Sequence, residues 1–471
     1  MSAHFSLAEV LAATGGTLVG SLPPASGPAF TGVSTDTRSL QAGQLFVALV
    51  GDRFDAHGFL AGAAGAGAAL AVVQRGRARP GAPSALPLVE VDDTLVALGA
   101  LARHHRRRFE IPLGAITGSN GKTSTKEMVA AILATRGSAL KTQGNLNNEI
   151  GLPLTLFGLS PAHRSAVVEL GMNHAGEIDR LTRICEPDAG LVTVVQAVHT
   201  EHFADGLRGV ARAKGELFRA LRPGATAVVN LDDPWILAEA SARGGPRITF
   251  GSGAEADVQL LATVPDAAGQ TLSLRVRGAP HLVPLSFLGT HNALNAAGAF
   301  ALGLALGIEP DDCARGLAEA RPHGQRLRLV PGRGGVQVLD DSYNANPGSM
   351  KAGLSTLGSL SGRERSVAVL GDMLELGEEG PAAHAELGRE AARHARVVAF
   401  FGPQSASGAS AATKEAAGCE VGHFADVDAL ISWLTSRLRD GDTVLVKGSR
   451  GMRLERVVAA LTGAPAADGS H

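Results

Sequence analysis

The residues best placed to do chemistry are Thr117-Gly118-Ser119-Asn120-Gly121-Lys122-Thr123-Ser124, between an apolar run that predicts a strand (Pro112 to Thr117) and a pattern that predicts a helix (Thr123 to Arg136). Such a loop aims backbone N–H groups and a helix N-terminus at phosphate oxygens. The Lys122 ammonium can meet phosphoryl charge, and the Thr123 hydroxyl can hold Mg²⁺. The pattern departs from the full phosphate-loop signature, because Ile116 stands where its first glycine belongs. A shortened Gly-Lys-Thr turn alone could be an ordinary glycine-rich connection; a strand before it and a helix after it favour phosphate binding.

A phosphate site with magnesium needs oxygen or nitrogen ligands at neighbouring strand ends, where ligands collect in open α/β sheets. Glu169 closes the apolar run Ala166-Val167-Val168, and His199 follows Val194-Val195-Gln196-Ala197-Val198. A glutamate can equally cap a turn and a lone histidine can be structural; their matched placement after strands shifts the reading toward function. Asp340-Asp341-Ser342-Tyr343-Asn344-Ala345-Asn346-Pro347 also follows a predicted strand and holds the single tyrosine. It reads equally as a turn or a site. Lys214, Arg326 and the turn Lys447-Gly448-Ser449-Arg450-Gly451 do not stand out on spacing alone. No GxSxG elbow or HExxH helix is present, so serine hydrolase and zinc protease chemistry lack support.

These residues need elements to hold them. Strand candidates alternate with helical stretches from Ile111 onward, including Ser165 to Leu170 and Gly190 to Val198, which predicts a parallel sheet covered on both faces. The first hundred residues read as a smaller α/β unit, with strands at Leu45 to Leu49 and Ala69 to Val73. Beyond Arg321-Pro322-His323-Gly324, runs at Val336 to Leu339, Ser366 to Leu370, Val397 to Phe401 and Thr443 to Val446 predict a third, Rossmann-like unit. The fold class is therefore α/β in three domains, with limits expected at 1–108, 109–324 and 325–471. Gly278 to Ile308 carries no charged residue but is interrupted by Thr290, His291, Asn292 and Asn295, and the remaining apolar part, Ala296 to Ile308, has the length of a buried core helix, not of a membrane span.

Composition narrows the function classes. A chain of 471 residues with 45% apolar and 19% charged residues is folded and globular, and 60 glycines suit many tight turns. The net charge of −2 gives no global attraction to nucleic acid or anionic membrane, so an anionic ligand must be held by local groups. Three scattered cysteines predict neither a disulfide framework nor a zinc site, and with an N-terminus that lacks a secretory pattern they fit a cytoplasmic protein.

Taken together, the motifs resemble the ATP-dependent Mur ligases of bacterial cell-wall synthesis. The most specific are Gly144-Asn145-Leu146-Asn147-Asn148-Glu149-Ile150-Gly151, Glu169-Leu170-Gly171-Met172-Asn173-His174, Phe287-Leu288-Gly289-Thr290-His291-Asn292 and the Asp340 to Pro347 segment. The shortened loop is that family's form. The resemblance implies an N-terminal uridine-nucleotide domain, a central ATPase and a C-terminal domain that receives the incoming amino compound. It implies that Gly118, Ser119, Asn120, Gly121, Lys122, Thr123 and Ser124 bind ATP together with His291, Asn292 and Asn295 near adenine, Arg326 near the γ-phosphate and Asp341 near the ribose or hinge. Thr123, Glu169, His199 and Lys214 would serve two Mg²⁺ ions, with Lys214 carbamylated. Lys122, Lys214, His199 and Arg326 are the implied catalytic residues. Ser34, Asp36 and Arg38 would lie on the uridine side, and Asn145, Asn148, Asn344, Asn346, Lys447 and Ser449 would meet the substrates.

The reaction so implied activates the free carboxylate of a UDP-N-acetylmuramoyl-tripeptide as an acyl-phosphate, which the amine of D-alanyl-D-alanine then attacks. The branch that adds a diamino acid usually carries Asp-Asn-Pro-Arg, whereas Asn344-Ala345-Asn346-Pro347 stands here. The expected partners are small molecules, and the expected state is a monomer. The competing readings are a nucleotide-dependent regulator that does not ligate, and a sister ligase with another amino acceptor.

Overall fold

The computed structural model describes residues 3–20, 30–51, 54–77, 86–197, 200–266, 269–415 and 418–464, the side chain of His202 excepted. Three sheets organise these residues. The central sheet has nine strands, in the edge-to-edge order Ala279–Leu285, Gly269–Val276, Val258–Asp266, Arg247–Gly251, Thr226–Asn230, Ala189–Val192, Leu113–Thr117, Ser165–Glu169 and Ala139–Lys141. The pairings from Val258–Asp266 through to Ala139–Lys141 are parallel, and the two at the Ala279–Leu285 edge are antiparallel. Leu113–Thr117 and Ser165–Glu169 are buried at every position, as strands covered by helices on both faces must be. Their C-terminal ends lie side by side, with Ile116 in register with Glu169 and Thr117 with Val192. The phosphate-loop candidate and the Glu169 carboxylate thus start from adjacent strand ends.

The N-terminal sheet has five strands and the C-terminal sheet six, the latter running Arg328–Pro331, Gln337–Asp341, Thr443–Lys447, Ser366–Gly371, Val397–Phe401 and Glu420–Phe424. Each has a single antiparallel pairing at one edge and is otherwise parallel. The expected strands recur in all three units with ends shifted by a residue or two, except that the one expected over Gly190 to Val198 leaves the sheet after Val192. Cys185, Cys313 and Cys419 are free thiols, and burial pushes the first two up to about 12. Among the described residues no helix is long and apolar enough to cross a membrane.

Within the uncharged stretch from Gly278, Ala279–Leu285 forms the edge strand and the helix runs Thr290–Ala305, which takes in most of the expected Ala296 to Ile308 core helix and starts six residues earlier. The neighbouring strand Gly269–Val276 supplies the buried Gln270, whose Nε2 donates to Phe287 O at 2.7 Å and Gly289 O at 3.0 Å. That buried amide holds the chain in a turn between strand and helix, so His291, Asn292 and Asn295 fall in the helix's first turns.

The helix Thr94–Arg106 joins two units into one core. Asp93 caps it by accepting from Leu95 N and Val96 N at 2.7 and 3.0 Å. Its Leu98, Leu101 and Ala102 share an apolar cluster with Leu45, Val72 and Val89 of the N-terminal sheet and with Leu152, Leu156 and Ile178 of the central unit. The C-terminal sheet has apolar clusters of its own on its two faces. Leu101→Ala is therefore expected to cost about 2–5 kcal/mol and to lower the denaturant midpoint of both N-terminal and central units together. His105 in this seam donates from Nε2 to Leu159 O at 3.2 Å, and burial pulls it down to about 4 from 6.5. The unfolded chain binds that proton near 6.5 and the folded one only near 4, so stability is full above 6.5 and falls as pH drops through this window. His105→Gln should flatten that decline in urea titrations at stepped pH.

Candidate functional site

The turn from Thr117 to Lys122 is held by contacts that only small residues allow. Gly118 has φ +146° and Gly121 φ +82°, both in the range that favours glycine. A Cβ on Gly118 would collide with Thr193 Oγ1, and one on Gly121 would stand 2.6 Å from Asn295 Oδ1. Thr193 Oγ1 donates to Asn120 O at 2.5 Å, and Ser119 Oγ donates to Gln196 O at 3.0 Å while accepting from Gln196 N at 2.9 Å. The loop's backbone therefore has little freedom. The helix Lys122–Ala134 starts directly at Gly121, leaving its first N–H groups at the loop.

Lys122 folds back over this turn, with Nζ donating to Gly118 O at 2.7 Å. Burial lowers its affinity for a proton and the nearby Arg326 charge lowers it further, against the pull of Glu169. Thr123 Oγ1 donates to Glu169 Oε1 at 3.3 Å, and Asn147 Nδ2 donates to the same oxygen at 3.3 Å. Glu169 Oε2 is buried and accepts no hydrogen bond; the nearest ammonium, Lys126 Nζ, lies 3.9 Å away. An orphaned carboxylate oxygen beside a hydroxyl fits a hard cation with oxygen ligands. Among the described residues no three His, Cys, Asp or Glu side chains cluster to hold a metal by themselves, so most ligands of such an ion would have to come from phosphate and water.

A cavity of about 610 Å³ opens over the loop, between the central and C-terminal sheets. Its central wall carries Ser119 to Ser124, Asn145, Glu169, His291, Asn292 and Asn295; its C-terminal wall carries Arg326, Asp341, Asn344, Asn346, Lys447 and Ser449. Gly118 stands behind the first wall. Within the second, strand register pairs Asp341 with Lys447, and their side chains form a buried ion pair at 2.7 Å. Lys447 Nζ also donates to Asn344 O at 2.9 Å, and Ser449 Oγ accepts from Leu374 N at 2.9 Å. His291 faces this pair; burial chiefly, with Lys447 adding, lowers it to about 4 against Asp341, so it is neutral at pH 7. The Arg326 guanidinium lies 4.3 Å over the Tyr343 ring and that of Arg450 5.1 Å.

A second cavity of about 450 Å³ adjoins the loop on the other side, lined by Lys122, Asn145, Asn147, Asn148, Glu177 and Lys214 among others, and by Leu95 of the seam helix. Lys214 is 3% exposed on the helix Leu207–Ala220, and no carboxylate or carbonyl among the described residues pairs with it. Burial first, then the Lys122 charge, holds it well below the ordinary lysine range, which favours a neutral amine. Asn148 Oδ1 accepts from Ile150 N and Gly151 N at 3.2 and 2.8 Å, just ahead of the helix Gly151–Leu156.

The expected residues do not all converge. Ser34, Asp36 and Arg38 line neither cavity; Asp36 and Arg38 pair with each other at 2.6 Å, which lowers Asp36 to about 2. His199 lies outside the described residues. Sequence reasoning also missed participants. Gln196 and Thr193 were hidden because the chain leaves the sheet after Val192, where the pattern predicts strand to Val198. Lys126, 1% exposed, donates to Thr142 O at 2.7 Å behind Glu169; its place one helical turn after Lys122 was the available signal. Because the loop cannot accept a side chain at its first glycine, Gly118→Ala is expected to weaken ATP binding by about 5- to 150-fold, the equivalent of about 1–3 kcal/mol of backbone strain. Calorimetric titration of the folded variant checks it.

Comparison with known proteins agrees with this geometry. Residues 116–303 match the Mur ligase middle domain and residues 325–450 the domain described as Mur ligase, glutamate ligase domain. The UDP-N-acetylmuramoyl-tripeptide–D-alanyl-D-alanine ligase of Escherichia coli K12 is 42% identical over 440 residues, covering 91% of this chain and 93% of its own. A crystal structure of MurF from Acinetobacter baumannii superimposes with a TM-score of 0.88 at 31% identity, covering 97% of this chain and 98% of its own. The MurF ligase of Thermotoga maritima in complex with ADP gives a TM-score of 0.81 at 26% identity, over 92% and 97% of the two chains. With a phosphate loop of the family's shortened form and relatives this similar over nine-tenths of its length, the chain belongs to the Mur ligase family.

Proposed function

We propose that the protein joins D-alanyl-D-alanine to UDP-N-acetylmuramoyl-tripeptide at the expense of ATP, giving ADP, phosphate and the UDP-linked pentapeptide. The observation that carries this reading is the cavity in which a rigid phosphate loop faces the Asp341 to Asn346 loop of another domain. The near full-length similarity to ligases of that name supports the choice of substrates. We keep 1–108, 109–324 and 325–471 as the domain limits, and we place the enzyme in the cytoplasm as a monomer, which suits a net charge of −2 and free cysteines.

In this reading the loop N–H groups and Lys122 cradle the phosphates of ATP, with His291, Asn292 and Asn295 toward the base and Asp341 toward the ribose. A neutral His291 can accept or donate one hydrogen bond there without repelling Lys447. Arg326, fixed on Tyr343, faces the γ-phosphate and draws off charge as the tripeptide carboxylate attacks phosphorus. Thr123 and Glu169 would hold one Mg²⁺, with His199 and Lys214, carbamylated, serving a second; Mg²⁺ there would offset the repulsion between triphosphate and carboxylate. Burial lowers the proton affinity of Lys214 and no carboxylate or carbonyl among the described residues pairs with it, which suits uptake of CO₂ and supports the carbamate. The tripeptide would reach the loop through the cavity lined by Asn145, Asn148 and Lys214, its uridine end toward Ser34, Asp36 and Arg38. The dipeptide amine would arrive from the wall bearing Asn344, Lys447 and Ser449. Its attack on the acyl carbonyl forms the amide and expels phosphate.

Purified protein with ATP, Mg²⁺ and the UDP-tripeptide should release phosphate in step with added D-alanyl-D-alanine and form a UDP-pentapeptide by mass. Release with a diamino acid and the UDP-dipeptide instead would move it to the sister ligase, and no release in either case would favour a regulator. Lys214→Ala should lower ligation on the order of 10- to 100-fold or more while ATP still binds. Full ligation by that variant would remove Lys214 from the site.

A further inference from the structure

Two side chains that are 226 positions apart meet across the main cavity. Asn120 Nδ2 donates to Asn346 Oδ1 at 3.0 Å, and Asn346 Nδ2 donates back to Asn120 Oδ1 at 2.7 Å. Asn120 belongs to the phosphate loop, and Asn346 is the N-cap of the helix Pro347–Ser361 in the C-terminal domain. The contact is built in from both sides. Asn120 Nδ2 also donates to Gln196 Oε1 at 2.5 Å, and Gln196 is itself fixed by Ser119. Asn346 Oδ1 also accepts from Ser349 N at 2.9 Å while Ser349 Oγ accepts from Asn346 N at 3.0 Å. Gly348 lies so close to Gln196 that a Cβ there would collide with its Oε1.

We propose that the Asn120–Asn346 amide pair is the latch that holds the C-terminal domain closed over the phosphate loop, and that Asn346 serves this latch, not the incoming dipeptide. The inference rests on the ligase reading above. Both are positioning residues: neither need touch the reacting atoms, but their pairing fixes where the acceptor wall stands relative to the phosphates. Both lone pairs of Asn346 Oδ1 are already occupied, which leaves that oxygen nothing to offer an acceptor amine. A neutral amide pair is suited to a contact remade at every turnover, because it carries no charge to desolvate. Losing one or two such hydrogen bonds shifts an equilibrium by only about 5- to 30-fold. While the latch is made, the acyl-phosphate is kept from water, and while it is open, hydrolysis competes with ligation.

The test uses the full-length enzyme and Asn120→Ser, Asn346→Ser and the double variant. Serine at 346 keeps a helix-capping oxygen but is too short to reach Asn120. Each single variant is expected to lower kcat and the ratio of amide formed to phosphate released by about 5- to 30-fold, with the dipeptide KM changed less than twofold, and the double variant should be no worse than either single one. Small-angle X-ray scattering without ligand should give a larger radius of gyration for each variant than for the parent. A rise in dipeptide KM alone would return Asn346 to acceptor binding and sink the latch, as would single effects that multiply in the double variant, or an unchanged ratio and radius. Failure of the parent to ligate would overturn the ligase reading, while the scattering comparison would still decide whether the pair holds the domains together.

Discussion

Everything at this site depends on one sterically closed turn. Between Thr117 and Lys122 the backbone passes so near Thr193 and Asn295 that only glycine fits at positions 118 and 121. That closeness is what lets main-chain N–H groups, and not flexible side chains, define where phosphate would sit. The neighbours that crowd the turn also orient it: Thr193 grips Asn120 O, Gln196 and Ser119 bind each other, and Asn295 belongs to the helix that carries His291. A loop so constrained costs no reorganisation when charge arrives.

Electrostatics follow from burial around that turn. Lys122, Lys214 and Arg326 gather at this site in a chain whose overall net charge is −2, and nothing among the described residues neutralises Lys214. The protein instead lowers the proton affinity of Lys122 and Lys214 and leaves Glu169 half satisfied. Such an arrangement is uncomfortable when empty and is relieved by a polyanion with its counter-ions. On the opposite wall Asp341 and Lys447 neutralise each other, while the Arg326 guanidinium stands over Tyr343 on that same wall.

Much of this was legible in the sequence because it is local. Thr117 to Ser124 sits between an apolar run and a helical pattern, and Glu169 ends another apolar run; strand, turn and ligand are within a few residues of each other. What sequence could not give is contact between distant segments. Nothing near Asn346 says that it meets Asn120, and Gln196 looks like part of a strand until the sheet is seen to stop at Val192. Lys214 lay on an ordinary amphipathic helix and only burial distinguishes it. Within Gly278 to Ile308 the core helix was legible from Ala296, but its start at Thr290 and the strand before it were not, since the absence of charge reports burial and not the type of element, and Gln270, which holds the turn, pairs with it only in three dimensions.

The packing divides the molecule differently from its sheets. The seam helix welds the N-terminal and central sheets, while the C-terminal sheet keeps separate cores. Yet Leu288, from the segment that follows the central sheet, is seated in the C-terminal core beside Leu327, Met350 and Leu354. Were the latch proposed above to release at the far rim, Leu288 would still moor the third unit at this point. Opening would then follow an arc about that fixed centre, and each return would bring the same wall back over the same turn.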